Sequence, residues 1–324
     1  MILVRRRFLQ LAAAAGTFPL TAAATWAQAY PARPVRMVCG FPPGGAADVS
    51  ARVAAQWLSG RLGQQFVVEN RTGAGGNVAT EAVVRSPPDG YTLLLVAPAN
   101  AINASLYDKL AYVFIRDTDP VCGIIRVPNV VEVNLSVPVA SIAELIAHAK
   151  ANPGALSYAS AGVGTASHMA GELFKAMTGV NLVHVPFRGN GPAMTALLGG
   201  QVQLGFGDMA SAIEFVKSGK LRGLAVTTAA RSPALDLPTV AETVPGYEAS
   251  SWFGVSAPKG TPAGIVDQLN RELNAGLADP QVKMRLANVG GTTLPGSPAE
   301  WGKLIADETE KWGRVIRAAN IKAE

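Results

Sequence analysis

The chain has 324 residues, of which 49 % are hydrophobic and 16 % charged, and its formal net charge is +5. This composition excludes an intrinsically disordered chain, which would hold fewer apolar residues and more net charge. The length is typical of about two domains of roughly 150 residues each.

A secretory signal peptide is predicted over residues 1–29. Three arginines, Arg5 to Arg7, precede an apolar stretch of small residues that ends in Ala27-Gln28-Ala29, a pattern that signal peptidase accepts. The arginines followed by Phe8-Leu9 fit the twin-arginine pattern, although the general secretion route also accepts a basic N-terminus. The apolar stretch is interrupted and shorter than the ~20 residues that a membrane span needs. We therefore expect a periplasmic protein that begins at about Tyr30.

The charge of the predicted mature chain is nearly balanced. Removing residues 1–29, which hold three arginines and no acidic residue, leaves 25 basic and 23 acidic side chains, a net charge of +2. Without a cluster of Lys or Arg, this balance gives no electrostatic reason to expect a nucleic-acid partner. The two cysteines, Cys39 and Cys122, lie in apolar stretches, which favours two buried thiols over the disulfide that an oxidising compartment permits.

Short apolar runs alternate with helical patterns along the rest of the chain, which predicts βαβ units and mainly parallel sheets. A helix is predicted between Gly44-Gly45 and Gly63, and a Ser-x-x-Glu capping box at Ser141 predicts the start of another. A last amphipathic helix covers residues 298–319, with Asp307 and Lys311 expected to form an ion pair. The predicted strands cover residues 35–40, 91–97, 156–160, 182–187, 202–207 and 221–227.

Two extended stretches, residues 129–137 and 248–258, lack helical periodicity and join halves that have their own alternation of strands and helices. These are the candidates for segments that cross between two lobes. The expected division places residues 30–128 and 252–324 in lobe 1 and residues 129–251 in lobe 2.

Catalytic and metal-binding signatures are not found. The sequence has no P-loop, no His-Glu-x-x-His and no Gly-x-Ser-x-Gly motif, and its three histidines do not have the spacing of metal ligands. The remaining enzymatic alternative is a hydrolase that uses Ser167 and His168. Neighbouring side chains at the start of a helix point in different directions, so this pair seldom aligns a nucleophile with a base.

Two loops that lead from a strand into the N-terminus of a helix are the candidate ligand site. One covers residues 41–48 and the other residues 161–168, and both are rich in glycine and small residues. In open parallel sheets, ligands bind at the carboxyl ends of strands, where helix N-termini present free N–H groups and partial positive charge. A carboxylate or phosphate fits such a site. The alternative is that each loop is an ordinary turn with an N-cap, and a third glycine-rich stretch, residues 70–77, is either structural or part of the cleft.

These loops belong to a series of motifs that resembles the substrate-binding proteins of tripartite tricarboxylate transporters, the Bug or TctC family. The match covers essentially all of the predicted mature chain. Its motifs are Phe41-Pro42-Pro43-Gly44-Gly45 with Asp48, Glu69-Asn70-Arg71-Thr72-Gly73-Ala74-Gly75-Gly76-Asn77, Pro88-Asp89-Gly90-Tyr91, Gly164-Thr165-Ala166-Ser167-His168, Val183-His184-Val185-Pro186-Phe187-Arg188-Gly189 and Trp252-Phe253-Gly254.

The resemblance implies a two-lobe α/β periplasmic-binding-protein fold similar to type II, with mainly parallel sheets and a hinge of crossing strands. It implies a monomeric receptor, without catalysis, cofactor or metal, that closes on a small organic carboxylate and delivers it to a two-component membrane permease. In some relatives the receptor instead serves a sensor kinase. The residues expected at the ligand are Phe41, Pro42, Gly44, Gly45, Ala46, Ala47, Asp48, Asn100, Ser160, Gly164, Thr165, Ser167, His168 and Asp208.

Overall fold

The computed structural model describes residues 30–323, so the predicted signal peptide lies outside the described residues. The fold is α/β and has two sheets that share one long strand, β4 (Thr118–Val133). None of the described helices is long and apolar enough to cross a membrane.

The first sheet consists of three parallel strands followed by antiparallel ones. The parallel strands are β2, β1 and β3, and β9 pairs antiparallel with both β3 and the first part of β4. The short β10 pairs with the same part of β4. The bounds are β1 (Val35–Cys39), β2 (Phe66–Asn70), β3 (Thr92–Val96), β9 (Ser250–Pro258) and β10 (Thr292–Thr293).

The second sheet uses the remainder of β4. From Asn129 onward this strand pairs antiparallel with β7 and β8, and β7, β5 and β6 are parallel to one another. The outer strands of both sheets are thus parallel, as the sequence predicts. The pairs that involve β4 or β9 are antiparallel. The bounds are β5 (Ser157–Ser160), β6 (Val183–Pro186), β7 (Leu204–Asp208) and β8 (Arg222–Val226).

Helices cover both sheets. We refer to the first sheet with α1–α4 and α9–α11 as lobe 1, and to the second sheet with α5–α8 as lobe 2; α11 packs against α3 of its own lobe and against α6 of lobe 2. The bounds are α1 (Ala46–Leu62), α2 (Asn77–Val84), α3 (Pro98–Leu106), α4 (Phe114–Asp117), α5 (Ile142–Ala151), α6 (Ala166–Thr178), α7 (Asn190–Leu198), α8 (Met209–Lys217), α9 (Ala263–Ala278), α10 (Pro280–Ala287) and α11 (Pro298–Ala318).

Local signals explain the ends of several helices. α1 begins after Gly45 and ends at Gly63, whose φ of 70° is a left-handed conformation that suits glycine. The predicted cap of α5 is confirmed, because the Ser141 hydroxyl accepts a hydrogen bond from the Glu144 N–H.

The prediction that Asp307 and Lys311 form an ion pair in α11 is wrong. Lys303 pairs with Asp307, while Lys311 pairs with Glu308, one residue further along the helix. Both observed pairs have i,i+4 or i,i+3 spacing, and neighbours at either spacing share a helix face. Sequence spacing alone therefore could not choose between the possible partners.

The core of lobe 1 contains both cysteines as buried free thiols, as predicted. Burial raises the pKa of Cys39 to about 11 and that of Cys122 to about 12. Both sulfurs are therefore uncharged and act as small apolar groups.

Candidate functional site

The first candidate loop connects β1 to α1 and leaves the N-terminus of that helix without a side-chain cap. Gly45 occupies the N-cap position, and no side chain accepts a hydrogen bond there. The N–H groups of Ala46 and Ala47 consequently have no partner within the helix, and the helix dipole adds partial positive charge at this end. Pro42, Gly44 and Gly45 are exposed whereas Ala46 and Ala47 are buried, so an anion would approach these donors through the exposed loop.

The side chain of Asp48 fixes the conformation of this loop through hydrogen bonds. It is buried, and one of its carboxylate oxygens accepts hydrogen bonds from the Gly44 N–H at 3.0 Å and from Arg52 Nε at 2.8 Å. The other oxygen accepts a hydrogen bond from Asn70 Nδ2, which also donates to the Phe41 carbonyl. The carboxylate is therefore fully engaged by the protein and positions the loop.

The second candidate loop connects β5 to α6. Hydroxyl groups of its own residues form hydrogen bonds with its backbone. Thr165 is the N-cap of α6, and its hydroxyl donates to the Gly162 carbonyl at 2.7 Å. The Ser167 hydroxyl accepts a hydrogen bond from the Ala161 N–H at 2.9 Å. The Gly164 N–H points back to His168 Nδ1 at 3.2 Å, so the proton of this neutral imidazole lies on Nε2.

Buried Ser160 and His168 and the half-buried His184 form a polar group behind this loop. The rings of His168 and His184 stack with their centroids 4.0 Å apart, and His184 Nε2 lies 2.7 Å from the Ser160 hydroxyl. Burial lowers the pKa of His168 to about 4 and that of His184 to about 3, so both rings are neutral near pH 7.

The two loops meet through a glycine turn and helix α3. Gly76 lies beside the Phe41 ring, and the Gly75 carbonyl accepts a hydrogen bond from Asn103 Nδ2 at 3.1 Å. On the other side of Asn103, a Cβ added to Gly164 would lie 3.1 Å from Asn103 Oδ1. The glycine-rich stretch thus occupies the gap between the two candidate loops, next to a point where the lobes touch.

The other predicted site residues have structural partners of their own. Asn100 is buried, accepts a hydrogen bond from the Ala97 N–H and donates to Thr80. Asp208 is the N-cap of α8 and accepts from the Ser211 N–H at 2.8 Å. Asp208 lies in lobe 2, at the end of β7, whereas Asn100 lies in lobe 1, near the start of α3.

Three polar residues near the loops were not among the predicted site residues. Asn103 lies between the two loops, Asn190 begins α7 and donates to Asp208, and Glu132 is buried under the end of β7. Of these three residues, only Glu132 could have been noticed in the sequence, because it is a lone acid in the apolar run Val130–Val133. Among the residues from 30 to 323 there is no group of three or more potential metal ligands.

Comparisons with known proteins agree with this architecture. The profile of the tripartite tricarboxylate transporter family receptor, TctC, matches residues 50–321. The chain is 40 % identical over 322 residues to the protein BugT of Bordetella pertussis, which covers 97 % of this chain and 98 % of BugT.

Two solved structures with bound carboxylates are similar. An R. palustris protein solved with adipate is 40 % identical, has a TM-score of 0.84 and covers 90 % of this chain and 99 % of its own. MatC from Rhodopseudomonas palustris, solved with bound malate, is 31 % identical, has a TM-score of 0.80 and covers 89 % of this chain and 100 % of its own. These neighbours have the same two-lobe α/β fold as this chain.

Proposed function

The chain belongs to the tripartite tricarboxylate transporter receptor family, and from this membership we propose that it is a periplasmic receptor for a small organic carboxylate. The receptor binds its solute between the lobes and delivers it to a two-component membrane permease. It acts as a monomer and catalyses no reaction. The dicarboxylates named for the two solved relatives, adipate and malate, support this ligand class.

The observation that carries the proposal is the uncapped N-terminus of α1. Its free N–H groups at Ala46 and Ala47 need an acceptor, and the exposed glycines before them leave room for one. A carboxylate supplies two acceptor oxygens and a negative charge, which the helix dipole stabilises. No Lys or Arg is needed for such a contact.

Closure of the lobes completes the site. Phe41, Pro42 and residues 44–47 contact the ligand from lobe 1, while Gly164, Thr165, Ser167 and His168 contact it from lobe 2. Asp48 and Ser160 position these two loops, and Asn100 and Asp208 lie at the periphery of the cleft. Because the ligand contacts both lobes only when they are close, binding favours the closed state.

The hinge lies where the chain passes between the lobes, within β4 at residues 128–129 and at the start of β9. We assign residues 30–128 and 252–324 to lobe 1 and residues 129–251 to lobe 2. The strand pairing supports this division, because β4 pairs with β9 as far as Pro128 and with β7 from Asn129.

A thermal-shift screen of the purified protein tests the proposal. The protein is partially unfolded to remove bound solute, refolded and heated with mono-, di- and tricarboxylates, aromatic acids, amino acids and sugars. A ligand that binds only the folded state raises the melting temperature, by an amount that grows with its concentration. We expect stabilisation by one class of carboxylates. Stabilisation by neutral sugars alone would contradict the anion site at α1.

A further inference from the structure

Glu132 is a buried acid near the end of β4, in the part of the strand that lies between β7 and β8 in the second sheet. Its side chain is 1 % exposed, and it lies across the two glycines of β7, Gly205 and Gly207. A Cβ at Gly205 would come within 3.2 Å of Glu132 Oε1, and one at Gly207 would collide with that oxygen. The two glycines therefore make the space in which the carboxyl group lies.

The carboxyl group lines a small cavity that we call the acidic hollow. The hollow lies between the second sheet and α7, and its free volume of about 10 Å³ admits one water molecule. An ammonium group is of similar size. Its apolar lining comes mostly from alanines and glycines, and the hydroxyl and amide groups in its wall belong to Ser160, Ser167, Asn190 and Ser211.

The acidic hollow has an unmatched hydrogen-bond acceptor. Glu132 Oε2 has no hydrogen-bond partner among the described residues, although a buried polar atom is normally paired. Asp208 is the second acid near the hollow, and its oxygens accept hydrogen bonds from Ser211 and Asn190.

No cation of the described residues balances these acids. The segments β5 and α7 carry no charged side chain, and on β8 the Arg222 guanidinium donates to the carbonyls of Val137 and Val139. On α8, Glu214 and Lys217 are exposed. Burial raises the pKa of Glu132 to about 8, with the nearby Asp208 adding to the effect and the Gly207 N–H opposing it. Burial also raises the pKa of Asp208.

We propose that the acidic hollow binds the ammonium group of an amino-carboxylate ligand whose carboxylate is held by the two candidate loops. This inference rests on the proposed function and narrows its ligand class. An ammonium group brings hydrogen-bond donors for Glu132 Oε2 and the neighbouring hydroxyl groups, and its positive charge stabilises the carboxylate that Glu132 forms when its proton leaves. A second carboxylate at the same place would meet two carboxyl groups and no positively charged side chain.

Binding of an ammonium group also changes the protonation of Glu132. A cation within hydrogen-bond distance favours the ionised carboxylate, so Glu132 releases a proton when the ligand binds near pH 7. A ligand without an amino group causes no such release. Proton release therefore reports on the contact itself, and a purely structural role of Glu132 would not produce it.

The test is isothermal calorimetry with pairs of ligands that differ only in the amino group. Suitable pairs are aspartate with succinate, glutamate with glutarate, alanine with propanoate and 4-aminobutyrate with butyrate, and adipate and malate serve as references. Each titration is repeated in buffers of different ionisation enthalpy to count released protons. The variants are Glu132→Gln, which keeps the shape of the side chain, and Glu214→Gln, which removes an exposed acid from the same lobe.

We expect the amino member of at least one pair to bind about tenfold tighter than its partner and to release protons. Glu132→Gln removes both effects, and Glu214→Gln retains them. If ligands without an amino group bind as tightly, or if Glu132→Gln keeps the preference, the inference is overturned while the carboxylate receptor stands. If no carboxylate of any kind binds, the proposed function itself fails. Proton counting on the wild-type protein decides the question even if Glu132→Gln does not fold.

Discussion

The carboxylate of Asp48 accepts a hydrogen bond from the Gly44 N–H at 3.0 Å, so a side chain in the first turn of α1 fixes the loop that precedes the helix. Burial alone would raise the pKa of Asp48, but hydrogen bonds from Arg52, Gly44 and Asn70 outweigh it and lower the pKa below its ordinary value. The ionised form is therefore the one that holds the loop at neutral pH.

Replacing this acid should loosen the loop and destabilise the protein. Asp48→Asn keeps the shape but loses the charge that Arg52 and Gly44 contact, so we expect the free energy of unfolding to fall by about 1–3 kcal/mol. Because the pKa is lowered on folding, the contribution of Asp48 is present above its unfolded pKa and is lost as pH falls below it. Urea denaturation at neutral pH measures the change.

A matched control exists in α11. Asp307 also pairs with a basic residue four positions away, Lys303, but both side chains are exposed. Asp307→Asn should therefore change the free energy of unfolding by about 0.5 kcal/mol or less. Equal effects of the two substitutions would show that burial of Asp48 does not matter.

An acidic N-cap on α1 should affect the stability of the protein and its ligand affinity in different ways. Gly45 has the extended conformation of an N-cap, and no atom lies within 4 Å of an added Cβ. The carboxylate introduced by Gly45→Asp would accept hydrogen bonds from the free N–H groups, so stability should be unchanged or rise by a few tenths of a kcal/mol. The same carboxylate competes with the ligand, and calorimetry should show at least about tenfold weaker binding. Unchanged affinity would place the ligand elsewhere.

Closure of the lobes can be tested at Gly164. A Cβ at this position would come within 2.7 Å of Leu106 Cδ2 on α3, and the φ of 76° is strained for any residue except glycine. Gly164→Ala should therefore weaken ligand binding by holding the lobes apart, which calorimetry and small-angle scattering with ligand can detect.

Substitution of Gly219 distinguishes the two effects of Gly164→Ala, which are backbone strain and the steric contact with α3. Its φ of 70° is similar, but nothing lies within 4 Å of an added Cβ. Gly219→Ala should cost about 1 kcal/mol of stability from the left-handed conformation and leave the affinity unchanged. If both alanine variants bind ligand as the wild type does, the contact between Gly164 and α3 has no part in closure.

Glu132 should make the stability of the protein fall as pH rises. Its pKa is raised on folding from 4.5 to about 8, so between these values the folded chain keeps a proton that the unfolded chain has released. The contribution of Glu132 to the free energy of unfolding then decreases by at most about 1.4 kcal/mol per pH unit in this window and is constant outside it. In urea denaturation at pH 5, 6.5 and 8, Glu132→Gln should become progressively more stable than the wild type. A constant difference would contradict burial of an uncharged Glu132.

Much of the fold follows from local signals in the sequence. The glycines at both ends of α1 and the serine cap of α5 mark helix boundaries, and each predicted strand is found to within a few residues. The course of β4 could not be predicted in the same way. It is a 16-residue strand that leaves one sheet and enters another, and its first part contains Pro120 and Gly123, which are unfavourable in strands.

The two candidate loops could be predicted from the sequence, but the contacts of their side chains could not. The motif around Gly44 and Gly45 indicates an anion site, whereas the role of Asp48 depends on Asn70, 22 residues later in the chain. In the sequence, Glu132 is an acid within an apolar run that is typical of a buried strand, and nothing nearby in the sequence explains it. Only the pairing of β4 with β7 reveals that two glycines make room for it.

Helix α11 has 21 residues and a length of about 32 Å, and it lies along both lobes. Near its start Trp301 packs in lobe 1, and near its end Trp312 and Ile316 share a core with Phe174 of α6. Because its two ends are buried in different cores, we expect α11 to restrict the opening of the lobes, since a wide opening would expose one of these apolar contacts to water.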